Sequence, residues 1–171
     1  MAKITGCRAV GVAGSDDKCA RLTGDLGFDA AVSYRSTGFR DEFKAACDGG
    51  IDVYFDNTGG DILGAALRRM NPHGRIVCCG VVSQYDTSSP APGPRGVPGL
   101  LVNNRVRMEG FLVFDYADRY AQARAQLKAW VKAGQLKPWM DEFTGLEQAP
   151  EAFVDLLSGG NVGTRIVRVA A

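Results

Sequence analysis

The stretch YFDNTGG, residues 54–60, ends a run of apolar residues on an acid, an amide, a threonine and two glycines. In an open parallel sheet, ligands sit at the carboxyl ends of the strands. A strand leaving the core there carries small and hydrogen-bonding residues. Asp56, Asn57, Gly59 and Gly60 are therefore site candidates. An ordinary strand-to-helix turn accounts for the same letters, with Asn57 capping the next helix and the glycines supplying backbone freedom. The surrounding sequence has to decide between the two.

Around this stretch, strands and helices alternate at short intervals. CRAVGVAG (7–14) reads as a strand. SDDKCARLTGDLG (15–27) reads as a helix with Ser15 as N-cap, and Cys19, Ala20 and Leu22 share one face. DAAVSY (29–34) is a short strand, and TGFRDEFKAAC (37–47) places Phe39 and Phe43 one helical turn apart. IDVYFDN (51–57) is the next strand. GGDILGAALRRM (59–70) is a helix with Ile62, Leu63, Ala66 and Leu67 inward, stopped near Pro72 and Gly74. GRIVCCGVV (74–82) is the most strand-like run in the chain. Strands joined by helices of about ten residues describe βαβ units, an α/β fold and a parallel sheet with right-handed crossovers. The near-continuous hydrophobicity of IDVYF and RIVCCGVV predicts strands buried on both faces.

The proline-rich stretch SQYDTSSPAPGPRGVPG (83–99) breaks this rhythm. It starts at the carboxyl end of a buried strand, which favours a functional loop over a linker. Beyond it the pattern predicts a short helix around LLVNN (100–104), a strand RVRMEGFLVF (105–114) and an amphipathic helix from about residue 117 to 133. The tail reads as strand KPWMDEF, helix APEAFVDLLSGG and strand TRIVRV.

Bulk properties narrow the function. The 171 residues fit one domain with a real core, and 46% apolar and 23% charged residues describe a water-soluble globular chain. Twenty basic and nineteen acidic side chains leave a net charge of +1 with no basic block, which argues against nucleic acid as a partner. No apolar run is long enough to cross a bilayer and no signal-peptide core is present, so the expected location is the cytoplasm. Cys7, Cys19, Cys47, Cys78 and Cys79 form no C-x-x-C pair and are expected to be buried reduced thiols. A single histidine, His73 in the turn NPHG, argues against a histidine-rich metal site or a serine–histidine triad.

The motifs AGSDDK, DNTGG, CGVVSQY, GFLVFD and GGNVGTRIVRV, in this order and spacing, resemble the zinc-independent medium-chain dehydrogenases/reductases. More narrowly, they resemble the NADPH-dependent alkenal/enone double-bond reductases, the group that includes prostaglandin and leukotriene reductases. The resemblance covers essentially the whole chain. It implies a Rossmann-like parallel sheet with flanking helices that lacks its first strand and the A-x-G-x-x-G turn. Residues 1–137 would be a partial NADP-binding domain, and residues 138–171 a segment returning to a catalytic domain outside these residues. In the Rossmann order the absent strand is central. Its removal leaves two strands roughly 9–10 Å apart with unpaired edges, and the pyrophosphate-holding helix start is lost as well. The chain is accordingly expected to be a truncated or mis-started reductase, or one part of a split protein. A homodimer, or a partner chain supplying the N-terminal region, would complete it. The alternative is a non-catalytic remnant acting as a binding or oligomerisation module.

The resemblance also assigns residues. The strand CRAVGVAG ends at Gly14 and Ser15 rather than on the acid that binds both ribose hydroxyls of NAD. That leaves room for a 2′-phosphate, with Lys18 supplying a positive charge; Lys18 as a solvated helix lysine beside Asp16 and Asp17 is the competing reading. Tyr34 matches a position near the adenosine phosphate. Asn57 would contact the cofactor from the crevice, with Gly59 and Gly60 allowing close approach. Cys79, Gly80 and Ser83 would line the nicotinamide side, Phe111, Leu112 and Val113 its edge, and Asn161 would reach the cofactor from the tail. Tyr85 is the catalytic candidate. Reduction of an enone needs hydride delivery to the β-carbon and stabilisation of the forming enolate, which a phenol can provide; simple packing over the cofactor is the alternative. No metal is implied.

Overall fold

A polar residue just past a strand end starts the first helix of this chain. The first strand, β1 (Val10–Ala13), runs out at Gly14, and the Ser15 hydroxyl then accepts the Lys18 amide hydrogen at 3.3 Å to open α1 (Asp16–Gly24). Asp16 and Asp17 sit in its first turn, where the helix dipole favours negative charge. The computed structural model describes residues 1–85, 88–89 and 93–169. The central part of the proline-rich stretch, and with it most of the expected functional loop, lies outside the described residues.

The remaining elements follow in chain order. They are β2 (Ala30–Ser33), α2 (Phe39–Ala46), β3 (Ile51–Asp56), α3 (Gly60–Leu67), β4 (Met70–Cys78), α4 (Val97–Asn104) and β5 (Arg107–Gly110). Then come α5 (Tyr120–Lys132), β6 (Met140–Thr144), α6 (Ala149–Leu157) and β7 (Thr164–Arg168). The hydrogen-bonded strand orders are β1-β2, β3-β4-β5 and β6-β7, and the pairs β3–β4, β4–β5 and β6–β7 are parallel. Among the described residues β3 pairs only with β4, and β1 only with β2. The α/β class with parallel strands and flanking helices is the one the sequence implied.

The chain divides into two units, Met1–Ala31 with Ala121–Ala171, and Val32–Tyr120. The second is built on the sheet β3-β4-β5. Leu63 and Leu67 of α3, with Met70 and Ile76 of β4, form its core, against which Ile51, Tyr54, Val97 and Leu101 pack. Leu67 and Ile76 are fully buried, each worth roughly 1.5–3 kcal/mol of apolar transfer. Phe39 and Phe43 of α2 are both buried with ring centroids 5.5 Å apart, as their spacing required.

In the first unit, α6 links β6 to β7, and Arg165 of β7 ties the three together. Its guanidinium, only 6% exposed, lies 2.7 Å from both Asp141 and Asp155 and 4.5 Å from the Phe143 ring centroid. In the same unit, the Asp29 carboxylate accepts from the Ala9 amide at 2.7 Å and from Lys3 Nζ at 2.9 Å.

Several expectations need correction. β3 is not covered on both faces: Val53 and Phe55 are 57% and 60% exposed, because its second face and free edge have no partner among the described residues. α3 stops at Leu67 and β4 begins at Met70, earlier than its apolar run. The register jumps from Ile51↔Met70 to Val53↔Arg75, so NPHG forms an irregular bulge. Proline, which cannot donate, is tolerated there, and His73 takes a φ of 64°. β4 ends at Cys78 and β5 at Gly110, each short of the predicted end, because neither run finds a strand partner further on. Cys7 and Cys79 are exposed, Cys78 is half-buried and Cys19 and Cys47 are buried, with no disulfide among the described residues. No helix among the described residues is long and apolar enough to cross a membrane.

Candidate functional site

In the second unit the turns after β3 and β4 lie side by side. The Asp56 carbonyl accepts from the Cys79 amide at 2.7 Å, the Asn57 carbonyl from Val82 at 3.0 Å and the Thr58 carbonyl from Ser83 at 3.0 Å. Parallel pairing thus continues past the strands as loop-to-loop hydrogen bonds. Gly59 has φ 73° and ψ −150°, a conformation essentially reserved for glycine, and it rather than Asn57 is the N-cap of α3. The carboxylate that satisfies the helix start is Asp56, so the capping role considered for Asn57 is not observed. Asn57 is exposed, and its side-chain amide makes no hydrogen bond among the described residues. A side chain at Gly80 would collide with the Asn57 amide oxygen, and one at Gly60 would meet Ser83 Oγ at 3.2 Å. Bare backbone and one unpaired amide therefore meet at the carboxyl ends of two adjacent parallel strands.

The electrostatics here favour uncharged groups. Burial, and then the neighbouring Asp56 charge and hydrogen bond, push the Tyr54 phenol well above its ordinary value, so it remains a donor to Asp56. Burial, followed by Asp56, likewise raises the Cys78 thiol. Cys79, just past β4, is exposed.

In the first unit a cavity of about 400 Å³ is lined by Ala13, Lys18, Leu22, Trp139, Asn161 and Gly163, among others. Lys18 Nζ donates to the Gly159 carbonyl at 2.5 Å, and Asn161 Nδ2 to the Gly163 carbonyl at 2.8 Å. The turn carrying Asn161 is anchored from below: Asp141 accepts from the Val162 amide at 2.9 Å. That bond, followed by those to Arg165, holds the Asp141 carboxyl below its usual range. Lys18 and Asn161, 143 residues apart in sequence (161 minus 18), thus border one cavity.

The other predicted residues are placed as follows. Tyr34 follows β2, is 43% exposed and has the Arg35 guanidinium 5.8 Å from its ring. Tyr85, 59% exposed, closes the short 3-10 turn Val82–Gln84. Phe111 is half-buried and meets Tyr116 edge-on, its amide donating to the Cys78 carbonyl at 3.2 Å. Leu112 and Val113, at 64% and 54% exposure, lie on a turn rather than on the predicted strand. Asn57, Cys79, Gly80 and Ser83 lie on two turns that hydrogen bonds hold side by side, with Asn57 against Gly80, and Lys18 and Asn161 border a shared cavity. Trp139 and Gly159 were missed, because nothing local distinguishes them; only the fold carries them to Lys18.

Residues 1–129 match the zinc-binding dehydrogenase family. The chain is 38% identical over 175 residues to the NADPH-dependent curcumin reductase of Escherichia coli (strain K12), covering 99% of this chain and 50% of that protein. It is 41% identical over 173 residues to the 2-alkenal reductase (NADP(+)-dependent) of Nicotiana tabacum, covering 99% and 49%. The crystal structure of CurA in complex with NADPH from Vibrio vulnificus matches with a TM-score of 0.91 at 35% identity, over 99% of this chain and 51% of that one. The chain spans about half the length of the curated relatives it matches.

Proposed function

The chain belongs to the zinc-binding dehydrogenase family, and from that premise we propose that it is the cofactor-binding part of an NADPH-dependent oxidoreductase that reduces the C=C bond of α,β-unsaturated carbonyls. The observation that carries this reading is the Asn57 amide, without a hydrogen bond among the described residues, beside the bare backbone of Gly59, Gly60 and Gly80, at the strand ends where doubly wound sheets bind ligands. The activities for which the relatives are named, NADPH-dependent curcumin reduction and NADP(+)-dependent 2-alkenal reduction, support the substrate class.

In this reading NADPH, when bound, supplies the hydride that is transferred to the substrate β-carbon. The chain's own residues hold it. Lys18 takes the 2′-phosphate, exchanging a neutral carbonyl partner for a charged one. In the first unit Asn161 would offer an amide as well; in the second, Asn57 would offer an amide, Tyr34 would flank the adenosine phosphate, and Cys79, Gly80 and Ser83, with Phe111, Leu112 and Val113, would border the nicotinamide. Tyr85 places a phenol where it donates a hydrogen bond to the carbonyl oxygen as negative charge develops there. The family's name speaks of zinc, but among the described residues no three His, Cys, Asp or Glu side chains come together as a ligand set. The described residues therefore offer no set that fits the metal.

Residues 1–137 are assigned to cofactor binding and 138–171 to the segment that returns to a catalytic region, with a second copy or a partner chain completing the enzyme in the cytoplasm. Titration of the chain with NADPH and NADH, followed by nicotinamide fluorescence, tests the reading. Weak binding that favours NADPH is expected. Failure of both nucleotides to bind at millimolar concentration would overturn it.

A further inference from the structure

We infer that Asp56 is the positioning residue of this site: it welds the turns after β3 and β4 into one surface and thereby aims Asn57 at the cofactor. The functional part of this inference rests on the reading above. Asp56 is only 2% exposed, yet its Oδ1 receives three donors, the Gly59 amide at 3.0 Å, the Thr58 amide at 3.2 Å and the Tyr54 phenol at 3.1 Å. Its main-chain carbonyl simultaneously receives Cys79 at 2.7 Å and Gly80 at 3.4 Å. One residue therefore grips its own turn through the side chain and the neighbouring turn through the backbone.

The need for such a grip follows from the sequence of the turn. Gly59 and Gly60 both have positive φ, 73° and 56°, and without a Cβ they impose little constraint on the Asn57 side chain before them. A buried acceptor with two amide donors supplies the constraint that the glycines lack. Gly80 completes the arrangement, since its missing Cβ leaves the Asn57 amide the space it occupies. The Asn57 side-chain amide makes no hydrogen bond among the described residues, so its aim is inherited from the backbone that Asp56 holds.

All three side-chain bonds converge on one oxygen, which makes the inference testable without destroying the geometry. In Asp56→Asn the amide oxygen can accept the same three donors, whereas Asp56→Ala removes them all. The experiment compares wild type, D56N, D56A and Gly80→Ala as 171-residue chains, by site-resolved amide hydrogen exchange and by NADPH titration. In D56A, the amides of 58–59 and 79–83 should exchange about tenfold faster or more while those of β6 and β7 are unchanged, and NADPH affinity should fall about tenfold. D56N should restore both to within about threefold. If D56N behaves like D56A, charge rather than positioning is what matters and the inference is wrong. Should D56A fail to fold, G80A decides: it displaces the Asn57 amide with Asp56 intact, so NADPH affinity should drop while exchange of 58–59 stays normal, and undiminished affinity would overturn the inference. If the wild-type chain binds no NADPH, the functional reading fails. The exchange comparison of D56N with wild type then still shows whether Asp56 holds the two turns.

Discussion

Lys18 Nζ lies 2.5 Å from the carbonyl oxygen of Gly159, so a helix near the start of the chain is tied to the glycine turn before its last strand. The ammonium's hydrogen-bond partner is neutral, and it sits on a cavity wall within electrostatic reach of the Asp141 carboxylate, where an arriving phosphate would compete for it.

Lys18→Ala should therefore weaken NADPH far more than NADH. Losing one charge-assisted contact costs about 1.5–3 kcal/mol, roughly ten- to a hundredfold in affinity. Parallel titrations with the two nucleotides check this, and equal losses would show that Lys18 does not read the 2′-phosphate.

Tyr85→Phe should act on turnover rather than on nucleotide affinity. In any preparation of the protein that reduces an enone with NADPH, removing a donor to developing charge is expected to lower kcat on the order of a hundredfold. A raised KM for NADPH with kcat near wild type would reduce Tyr85 to a packing residue.

Gly163 adopts φ 91°, and a Cβ there would stand 2.5 Å from the Trp139 carbonyl oxygen. Gly163→Ala should lose about 1–3 kcal/mol of stability from strain. Because Trp139 and Gly163 line the same cavity, its Trp fluorescence should shift in the folded state as well. Thermal melts and native-state emission spectra measure the two effects separately.

The two units should respond to opposite ends of the pH scale. Asp29, Asp141 and Glu142, all in the first unit, are held below their ordinary values of 3.8, 3.8 and 4.5, chiefly by Lys3, by the Val162 amide and by Arg168 respectively. Depressed carboxyl values stabilise the folded state above the ordinary value, and that stability is lost as pH falls through the depressed one. Tyr54 and Cys78, in the second unit, are raised above 10.0 and 9.0 by burial and then by Asp56. The folded state there holds protons that the unfolded state releases, so stability falls as pH climbs past those ordinary values. Acid titration should change the emission of Trp130 and Trp139, both in the first unit, before amide exchange rises in α3 and β4; alkaline titration should reverse the order.

Local sequence determined a good deal of this protein. The spacing of Phe39 and Phe43, the inward set Ile62, Leu63, Ala66 and Leu67, and Ser15 as a helix cap were all legible, because helix period and capping depend only on near neighbours. The alternation of elements was enough for the α/β class. The tertiary structure decided what depends on partners distant in the chain. Strand ends were misjudged at Cys78 and Gly110 because a strand stops where its partner stops, whatever its own apolar residues prefer. The exposure of Val53 and Phe55 is a property of what pairs with and covers β3, which the run IDVYF does not encode. At the opening motif, the sequence singled out four polar or glycine residues but not their division of labour. Three donors meeting at one buried oxygen make Asp56 the anchor, while the Asn57 amide has no hydrogen bond among the described residues, an assignment that follows from burial and hydrogen-bond geometry alone.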